Sequence, residues 1–243
     1  MIVKIFENEE IVGRAAADII IAQLNGKADS VLGLPTGSSP VPTYKALIAA
    51  YKEGRISFAG VKTFNLDEYV GLDPTHEQSY RYFMNDNLFD HVDIDKKNTS
   101  LPCDGSALSD EEAARYDEKI KAAGGIDLQL LGIGNNGHIA FNEPGGTLDS
   151  LTHKQKITEN TREANARFFE GDPNKVPEYA VTLGLKGIMN ARKIILVACG
   201  EAKAKAVHDM VCGRVTADVP ASILQLHPDC TVYIDKAAAK LLK

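Results

Sequence analysis

Segment 126–133, IDLQLLGI, is the feature that most constrains the fold. It is a short, largely apolar run that begins after two glycines, and such a run predicts a strand buried inside a sheet. Comparable runs alternate with amphipathic helical patterns along the chain, which predicts an α/β fold: a single-domain, Rossmann-like, doubly wound and mostly parallel sheet with helices on both faces. The predicted strands are 2–6, 30–34, 61–66, 126–133 and 193–198, and the predicted helices are 8–24, 40–51, 79–89, 109–122 and 201–211, with a helical tail at 236–243.

Length, composition and charge narrow the class of protein. The 243 residues, 44% of them hydrophobic, suffice for one well-buried domain spanning 1–243. Four cysteines without a C-x-x-C pair argue against a zinc knuckle and against a disulfide-stapled scaffold. There is no charged-then-apolar leader and no apolar run approaching about 18 residues, so we predict a cytoplasmic protein with no membrane partner. A net charge of −6 with thinly spread basic residues predicts no nucleic-acid partner.

The loop after the first of these runs concentrates polar groups. Within GIGNNGHIAFNEP (132–144) stand Asn136, His138 and Glu143. Ligands bind beyond the carboxyl ends of the strands in an open parallel sheet, so this loop is placed for chemistry. A lone histidine beside glycines is more often structural, but a position at a strand end with Glu143 five residues on favours proton transfer.

The same loop matches the dinucleotide fingerprint G-x-G-x-x-G at 132–137. The fingerprint requires a helix that continues past its third glycine, but Pro144 removes a backbone donor only seven residues later. No second strand ends in an acidic residue near position 155. We therefore predict no nicotinamide cofactor. The other histidines lack H-E-x-x-H spacing, so we also predict no metal and no other cofactor.

A second candidate lies where predicted strand 30–34 ends, in LPTGSSP (34–40). Free backbone N–H groups at Gly37, Ser38 and Ser39 would face the crevice and suit a phosphate. A plain β-turn with a serine N-cap explains the same residues, and the sequence leaves both alternatives open.

Two acidic residues, Asp67 and Glu68, stand at the carboxyl end of predicted strand 61–66. A carboxylate there reaches the crevice, and partial desolvation can tune it as a general base. A pair of helix-capping or solvated acids is the alternative.

Two isolated basic residues are candidates for binding an anion. Lys203 lies in the first turn of the last predicted helix, where the helix dipole disfavours a cation unless an anion is bound beside it. Arg167 lies in 142–177, which is predicted to be one long irregular region and a mobile lid. The alternatives are a solvated surface lysine and an arginine paired with Glu163 or Glu170.

Four blocks of the sequence resemble the glucosamine-6-phosphate deaminase family. They are LPTGSSP (34–40), NLDEYVGL (65–72), GIGNNGHIAFNEP (132–144) and NARFF (165–169), the last followed by VPEYAVTLG. The likeness extends over essentially the whole chain, and GHIAFNEP together with DEYVGL is specific to this family. The resemblance implies an enzyme of amino-sugar catabolism that converts glucosamine 6-phosphate and water into fructose 6-phosphate and ammonium.

The resemblance also implies a role for each candidate residue. Asp67 would be the base that moves a proton between C2 and C1 of the opened sugar. His138 would handle the proton of the ring oxygen, and Glu143 would orient and charge that histidine. The implied substrate-binding residues are Thr36, Gly37, Ser38, Ser39, Gly132, Arg167 and Lys203.

One position departs from part of the family. Some members carry an aspartate two residues before the histidine, where this chain has Asn136. An amide orients an imidazole by hydrogen bonding but cannot stabilise imidazolium by charge, so Glu143 is left to supply the charge.

Two other function classes stay open beside the deaminase. A sugar-phosphate lactonase shares the fold family and the phosphate loop but needs no carbon base such as Asp67. A non-catalytic sugar-phosphate sensor is the third, although the chain shows no appended helix-turn-helix.

Regulation is expected to differ from that of the longer, hexameric members, which bind an N-acetylated sugar phosphate through basic residues after the FNEP block. At the corresponding positions this chain has Gly146, Thr147, His153 and Gln155. Neighbouring lysines at 154 and 156 would face the opposite side of an extended segment. We therefore expect a short, non-allosteric type that is a monomer or a weak homo-oligomer.

Overall fold

A computed structural model of the chain describes residues 1–106 and 109–242. In chain order the strands are β1 (Ile2–Phe6), β2 (Val31–Leu34), β3 (Lys62–Asn65), β4 (Asp67–Tyr69), β5 (Thr99–Ser100), β6 (Leu128–Leu131), β7 (His153–Lys156), β8 (Tyr179–Thr182), β9 (Lys193–Ala198) and β10 (Cys230–Asp235). The α-helices are α1 (Glu9–Gly26), α2 (Val41–Lys52), α3 (Tyr80–Asn87), α4 (Asp110–Ala122), α5 (Glu159–Asn165), α6 (Leu185–Met189) and α7 (Ala204–Cys212).

Seven parallel strands form the main sheet, in the order β1-β10-β9-β6-β2-β3-β5. From β2 the chain proceeds outward through β3 to β5, and from β6 it proceeds the other way through β9 to β10. The predicted doubly wound α/β fold is therefore confirmed. The direction reverses between β2 and β6, and ligands bind beyond the carboxyl ends of the strands at such a switch point.

Apolar side chains on the two faces of the main sheet form two cores. The core beneath α1, α2 and α3 includes Ile20, Leu47 and Met84. The core beneath α4, α6 and α7 includes Ile188 and Met210. Since each fully buried aliphatic side chain contributes about 1.5–3 kcal/mol, these cores make the sheet a firm base for the loops at its carboxyl edge.

A second, antiparallel sheet of three strands was not predicted from the sequence. Its order is β4-β8-β7, and its first strand begins at Asp67, where the chain leaves the main sheet after β3. The change of sheet occurs at Leu66, which donates its N–H to Leu34 O at 3.2 Å and accepts from Leu183 N at 2.6 Å. Asp67 therefore lies at the junction of the two sheets.

The prediction that 142–177 is irregular is wrong, because this region contains β7 and α5. β7 (HKQK) is a polar edge strand whose alternate side chains are half-buried and exposed, so it lacks an apolar period. α5 (ENTREAN) is short and polar. That this region moves as a lid remains a prediction.

Two helix predictions also need correction. The predicted helix 201–211 begins with a 3-10 turn at Glu201–Lys203, so that Lys203 immediately precedes α7. The predicted helical tail forms turns over 236–241, and Lys243 lies outside the described residues. In the described part of the chain, no helix combines the length and the apolar character needed to cross a membrane.

Candidate active site

A cavity of about 530 Å³ opens at the switch point, between the loops that follow β2 and β6 and beneath α5. Glu143 does not line it but lies buried behind His138. The other predicted site residues all line this cavity: Thr36, Gly37, Ser38, Ser39, Asp67, Gly132, Asn136, His138, Arg167 and Lys203.

The Asp67 side chain is 6% exposed and faces the cavity. Burial, with a smaller contribution from the neighbouring Glu68 charge, raises the pKa of Asp67 to about 8. Among the described residues, none donates a hydrogen bond to this carboxylate. An unpaired, desolvated carboxylate of raised pKa is a stronger base than an ordinary aspartate, and it accepts a proton once it is ionised.

Glu68, the other acid of the pair, does cap a helix. Its carboxylate accepts hydrogen bonds from the backbone N–H groups of Tyr69, Tyr80 and Arg81, each at 2.9 Å. The last two lie in the first turn of α3. The capping alternative thus applies to Glu68, which ties β4 to α3 and leaves Asp67 free.

His138, Asn136 and Glu143 form a connected group. The Asn136 side chain donates to Glu143 Oε2 at 2.9 Å and accepts from the His138 backbone N–H at 3.2 Å. His138 Nδ1 lies 3.6 Å from Glu143 Oε2. Burial acts to raise the pKa of Glu143, but contacts with His138, Thr161 and Asn136 outweigh it and lower this pKa to about 2. A permanently ionised carboxylate therefore stands behind the imidazole, which it can orient and stabilise as imidazolium.

The loop glycines explain the false dinucleotide fingerprint. A Cβ on Gly134 would lie 2.3 to 2.5 Å from three ring atoms of His138, so the imidazole lies flat against this glycine. Gly134 N also donates to His138 O at 2.9 Å. The glycine is required to make room for a histidine and not for a pyrophosphate.

The turn between His138 and Glu143 is strained and firmly held. Ala140 has a φ of 52°, in the left-handed region that is unfavourable for a residue with a Cβ. The Asn142 side chain compensates by donating to Ile139 O at 3.0 Å and Leu183 O at 2.9 Å. These bonds keep the histidine and the glutamate on the same side of the loop.

The loop after β2 presents unused backbone donors to the cavity. Gly37 has a φ of 85°, which suits a glycine, and among the described residues none accepts from the N–H groups of Gly37, Ser38 or Ser39. α2 has Pro40 at its N-cap with no side-chain cap bond, so the serine-cap alternative is excluded. Tyr44 fixes the loop by donating its hydroxyl to Pro35 O at 2.6 Å.

Lys203 and Arg167 approach the same cavity from different elements. Burial, with the nearby Arg167 charge, lowers the pKa of Lys203 to about 8. Arg167 pairs with neither Glu163 nor Glu170, and Glu170 instead pairs with Lys175. Two neighbouring cations without a carboxylate partner, beside free N–H groups, have the charge and the donors that suit an anion, and we call this group the anion site.

The sequence matches the family of glucosamine-6-phosphate isomerases and 6-phosphogluconolactonases over residues 7–233. It is 50% identical over 235 residues to glucosamine-6-phosphate deaminase of Thermoanaerobacter pseudethanolicus, which covers 97% of this chain and 92% of the relative. The enzyme of the same name from Shewanella halifaxensis is 52% identical over 244 residues, covering 100% and 92%. The chain belongs to the glucosamine-6-phosphate deaminase family.

Solved structures agree with this membership. A monomeric glucosamine-6-phosphate deaminase superimposes with a TM-score of 0.96 at 41% identity, covering 99% of this chain and 100% of that one. A 6-phosphogluconolactonase from Trypanosoma brucei superimposes with a TM-score of 0.76 at 18% identity, covering 100% and 98%. The lactonase shares the fold alone.

Several residues that support the site in this deaminase family member could not be recognised from the sequence. The sequence assigned no role of its own to Gly134, and it left open whether Glu68 is a base or a helix cap. Asn142 lies in the segment 132–144, yet its two hydrogen bonds to the main chain are visible only in the structure. The described residues include no cluster of three or more His, Cys, Asp or Glu side chains able to hold a metal.

Proposed function

We propose that this chain converts glucosamine 6-phosphate and water into fructose 6-phosphate and ammonium. The observation that carries the proposal is Asp67, a buried and unpaired carboxylate that shares one cavity with the anion site of Arg167 and Lys203. β3 and β9 stand on opposite sides of the β6–β2 pair, so Asp67 and Lys203 reach the cavity from opposite sides. A sugar phosphate bound across the switch point would present its phosphate to one and its C1–C2 end to the other.

Asp67 serves as the base for the carbon-bound proton. It removes the proton from C2 of the open-chain amino aldehyde, and the resulting C1–C2 enolamine takes the proton back at C1. Water then adds to the C2 iminium carbon and ammonia leaves as ammonium, giving the ketose. Neither an oxidant nor a reductant is needed, since hydrogen only moves from C2 to C1.

His138 serves in the step before, the opening of the sugar ring. As the hemiacetal opens, the imidazole on the cavity wall delivers a proton to the ring oxygen and takes up the proton of the O1 hydroxyl as the C1 aldehyde forms, and Glu143 stabilises the protonated imidazole. Asn136 fixes the position of His138 relative to Glu143 through its hydrogen bonds to both residues. Gly132, at the wall of the same cavity, leaves space for the O1 end of the sugar.

Ammonium release from glucosamine 6-phosphate, followed in a coupled assay, tests the function. The deaminase should release ammonium and fructose 6-phosphate in equal amounts and should not open 6-phosphogluconolactone. Lactone hydrolysis without ammonium release would replace the proposal with the lactonase. Binding of both compounds without turnover would replace it with a sensor.

Loss of the Lys203 charge is expected to weaken substrate binding more than turnover. Lys203→Ala should raise KM about 10- to 100-fold, the effect of one hydrogen bond to a charged group, because phosphate is held alike in the ground and transition states. Lys205→Ala is the matched control, since Lys205 is exposed and pairs with Asp209. An unchanged KM in Lys203→Ala would make Lys203 a surface lysine.

The pH dependence follows from two opposed titrations. Asp67 must lose its proton to act, so activity should rise with pH through about 8. Lys203 must keep its proton to bind phosphate, so affinity should fall as pH rises through about 8. The pH profile of kcat/KM should therefore be bell-shaped with its maximum near 8. In Lys203→Ala the descending limb should disappear while the ascending limb stays.

We also propose a monomer or weak oligomer without an N-acetylated effector. A second cavity of about 480 Å³ is lined by His153 and Gln155, and among its described lining residues there is neither lysine nor arginine. Lys154 and Lys156 point to the opposite, exposed side of β7, as expected for an extended segment.

We expect the rate to depend hyperbolically on the concentration of glucosamine 6-phosphate. We also expect N-acetylglucosamine 6-phosphate to leave the rate unchanged, because an effector without a binding site transmits no coupling free energy. Sedimentation at micromolar concentration should give mainly monomer. Sigmoidal curves that the N-acetylated compound makes hyperbolic would contradict the proposal.

A further inference from the structure

Tyr69 is a buried residue at the cavity wall for which the proposed reaction has no role. It lies in β4, two residues after Asp67, and is 2% exposed. Its ring is surrounded by three others, with centroid distances of 4.8 Å to Tyr80, 5.6 Å to Phe141 and 5.7 Å to Phe169. One side chain thus contacts three separate segments around the site.

The contacts of Tyr69 with the segment 159–169 bracket Arg167. Asn165, two residues before Arg167, donates its side-chain amide to the Tyr69 hydroxyl at 3.0 Å. Phe169, two residues after Arg167, packs edge-on against the Tyr69 ring at an interplanar angle of 86°. The backbone that carries Arg167 is therefore held on both sides by the same side chain.

Arg167 itself has few means of fixing its own position. It is exposed, and its guanidinium stacks over the adjacent Phe168 ring at 4.6 Å, a residue of its own segment. A long, unanchored side chain loses conformational entropy when it binds an anion. Fixing the backbone on which it stands reduces that loss.

On its other side Tyr69 packs against Tyr80, in α3. The rings of Tyr69 and Tyr80 lie 4.8 Å apart, and both side chains line the cavity that Thr36 also lines. The Tyr80 ring also stacks on Phe141 at 6.1 Å and 4°, in the loop that carries His138. The segment of Arg167 and the loop of His138 are thereby joined through two adjacent tyrosines.

We propose that Tyr69 is a positioning residue, which holds Arg167 against the anion site by anchoring Asn165 and Phe169 and which links this segment through Tyr80 to the loop of His138. The inference rests on the proposed function in so far as the anion is the phosphate of the sugar substrate. Tyr69 acts through Arg167 and not on the reacting carbons, so its effect belongs to binding. Burial raises the pKa of the Tyr69 phenol to about 12, so the hydroxyl remains protonated at working pH.

Tyr69→Phe tests this, because it keeps the ring packing and removes only the hydroxyl. We expect KM for glucosamine 6-phosphate to rise about 3- to 10-fold, the effect of one hydrogen bond, with kcat changed less than twofold. In an Arg167→Ala background the same substitution should have no further effect on KM. Tyr82→Phe is the control, since Tyr82 lies in α3 with 39% of its surface exposed.

A purely structural role for Tyr69 gives a different pattern. The substitution would then lower kcat and affinity equally, and its effect would persist without Arg167. The inference is overturned if kcat and affinity fall equally, if the effect persists in Arg167→Ala, or if KM is unchanged in Tyr69→Phe.

Two measurements on the protein without turnover separate this inference from the proposed function. Hydrogen exchange of the amides in 159–169 should be faster in Tyr69→Phe than in the parent chain. Inorganic phosphate, titrated by calorimetry, should bind more weakly to Tyr69→Phe than to the parent chain, and it should bind to Tyr82→Phe as tightly as to the parent chain.

If Tyr69→Phe and the parent chain have equal exchange rates and equal phosphate affinities, the role of Tyr69 is refuted even if ammonium is released normally. Faster exchange and weaker phosphate binding would support it even if the substrate proved to be another sugar phosphate.

Discussion

Asp67→Asn should lower the turnover of glucosamine 6-phosphate at least ~10²-fold, the loss typical of a missing general base, with little change in KM. The amide has nearly the shape of the carboxylate but cannot take the C2 proton, and the anion site is untouched. Steady-state kinetics measure both constants. Asp86→Asn, at an exposed aspartate of α3, is the matched control and should behave like the parent chain. Near-normal turnover in Asp67→Asn would remove this residue from the mechanism.

The same variant should also be more stable at alkaline pH. The pKa of Asp67 rises from 3.8 in the unfolded chain to about 8 in the folded one, so folding takes up a proton between these values. Stability is therefore lost as pH rises from about 4 toward 8, because the buried carboxylate must either keep its proton or ionise without a partner. Urea denaturation at pH 5 and pH 8 should show a smaller decline for Asp67→Asn than for the parent chain. An equal decline would indicate that Asp67 is not desolvated.

Gly134→Ala should reduce turnover about 10²-fold, comparable with the loss of an acid–base group, although no reacting atom is removed. The new Cβ would lie 2.3 Å from His138 Cε1, so the imidazole must leave its place beside Glu143. KM should change little, since the anion site lies on other loops. Steady-state kinetics of this variant give the result directly.

A double variant shows whether the effect runs through the histidine. His138→Gln combined with Gly134→Ala should be no slower than His138→Gln alone, because both changes remove the same imidazole. Additive losses would mean that Gly134 acts in another way. Gly26→Ala is the control for a glycine substitution as such, since nothing lies within 4 Å of a Cβ there.

Five of the seven strands of the main sheet and the two loops at its switch point could be predicted from the sequence, whereas β5 and β10 were not predicted. Buried parallel strands such as β6 and β9 are short apolar runs, and amphipathic helices such as α1 show their period locally, so both appear in the residues themselves. The loops around Gly37 and His138 were found for the same reason. Each follows such a strand directly, and topology then places both at one edge of the sheet.

The second sheet could not be predicted, because its polar edge strand β7 is defined by pairing with β8 and not by a pattern of its own. Contacts between distant segments were equally hidden. The 3.6 Å approach of Glu143 to His138 depends on the strained turn at Ala140.

Local sequence therefore determined five strands of the main sheet, the helices α1, α2, α3, α4 and α7, and the two loops at the switch point, since propensity and period are properties of neighbouring residues. Only the tertiary structure decided which functional groups meet: that Asp67 loses its solvent while Glu68 caps a helix, and that Tyr69 touches the segment of Arg167. The physical reason is that desolvation, charge proximity and hydrogen bonding depend on distances in space, which the order of residues along the chain does not specify.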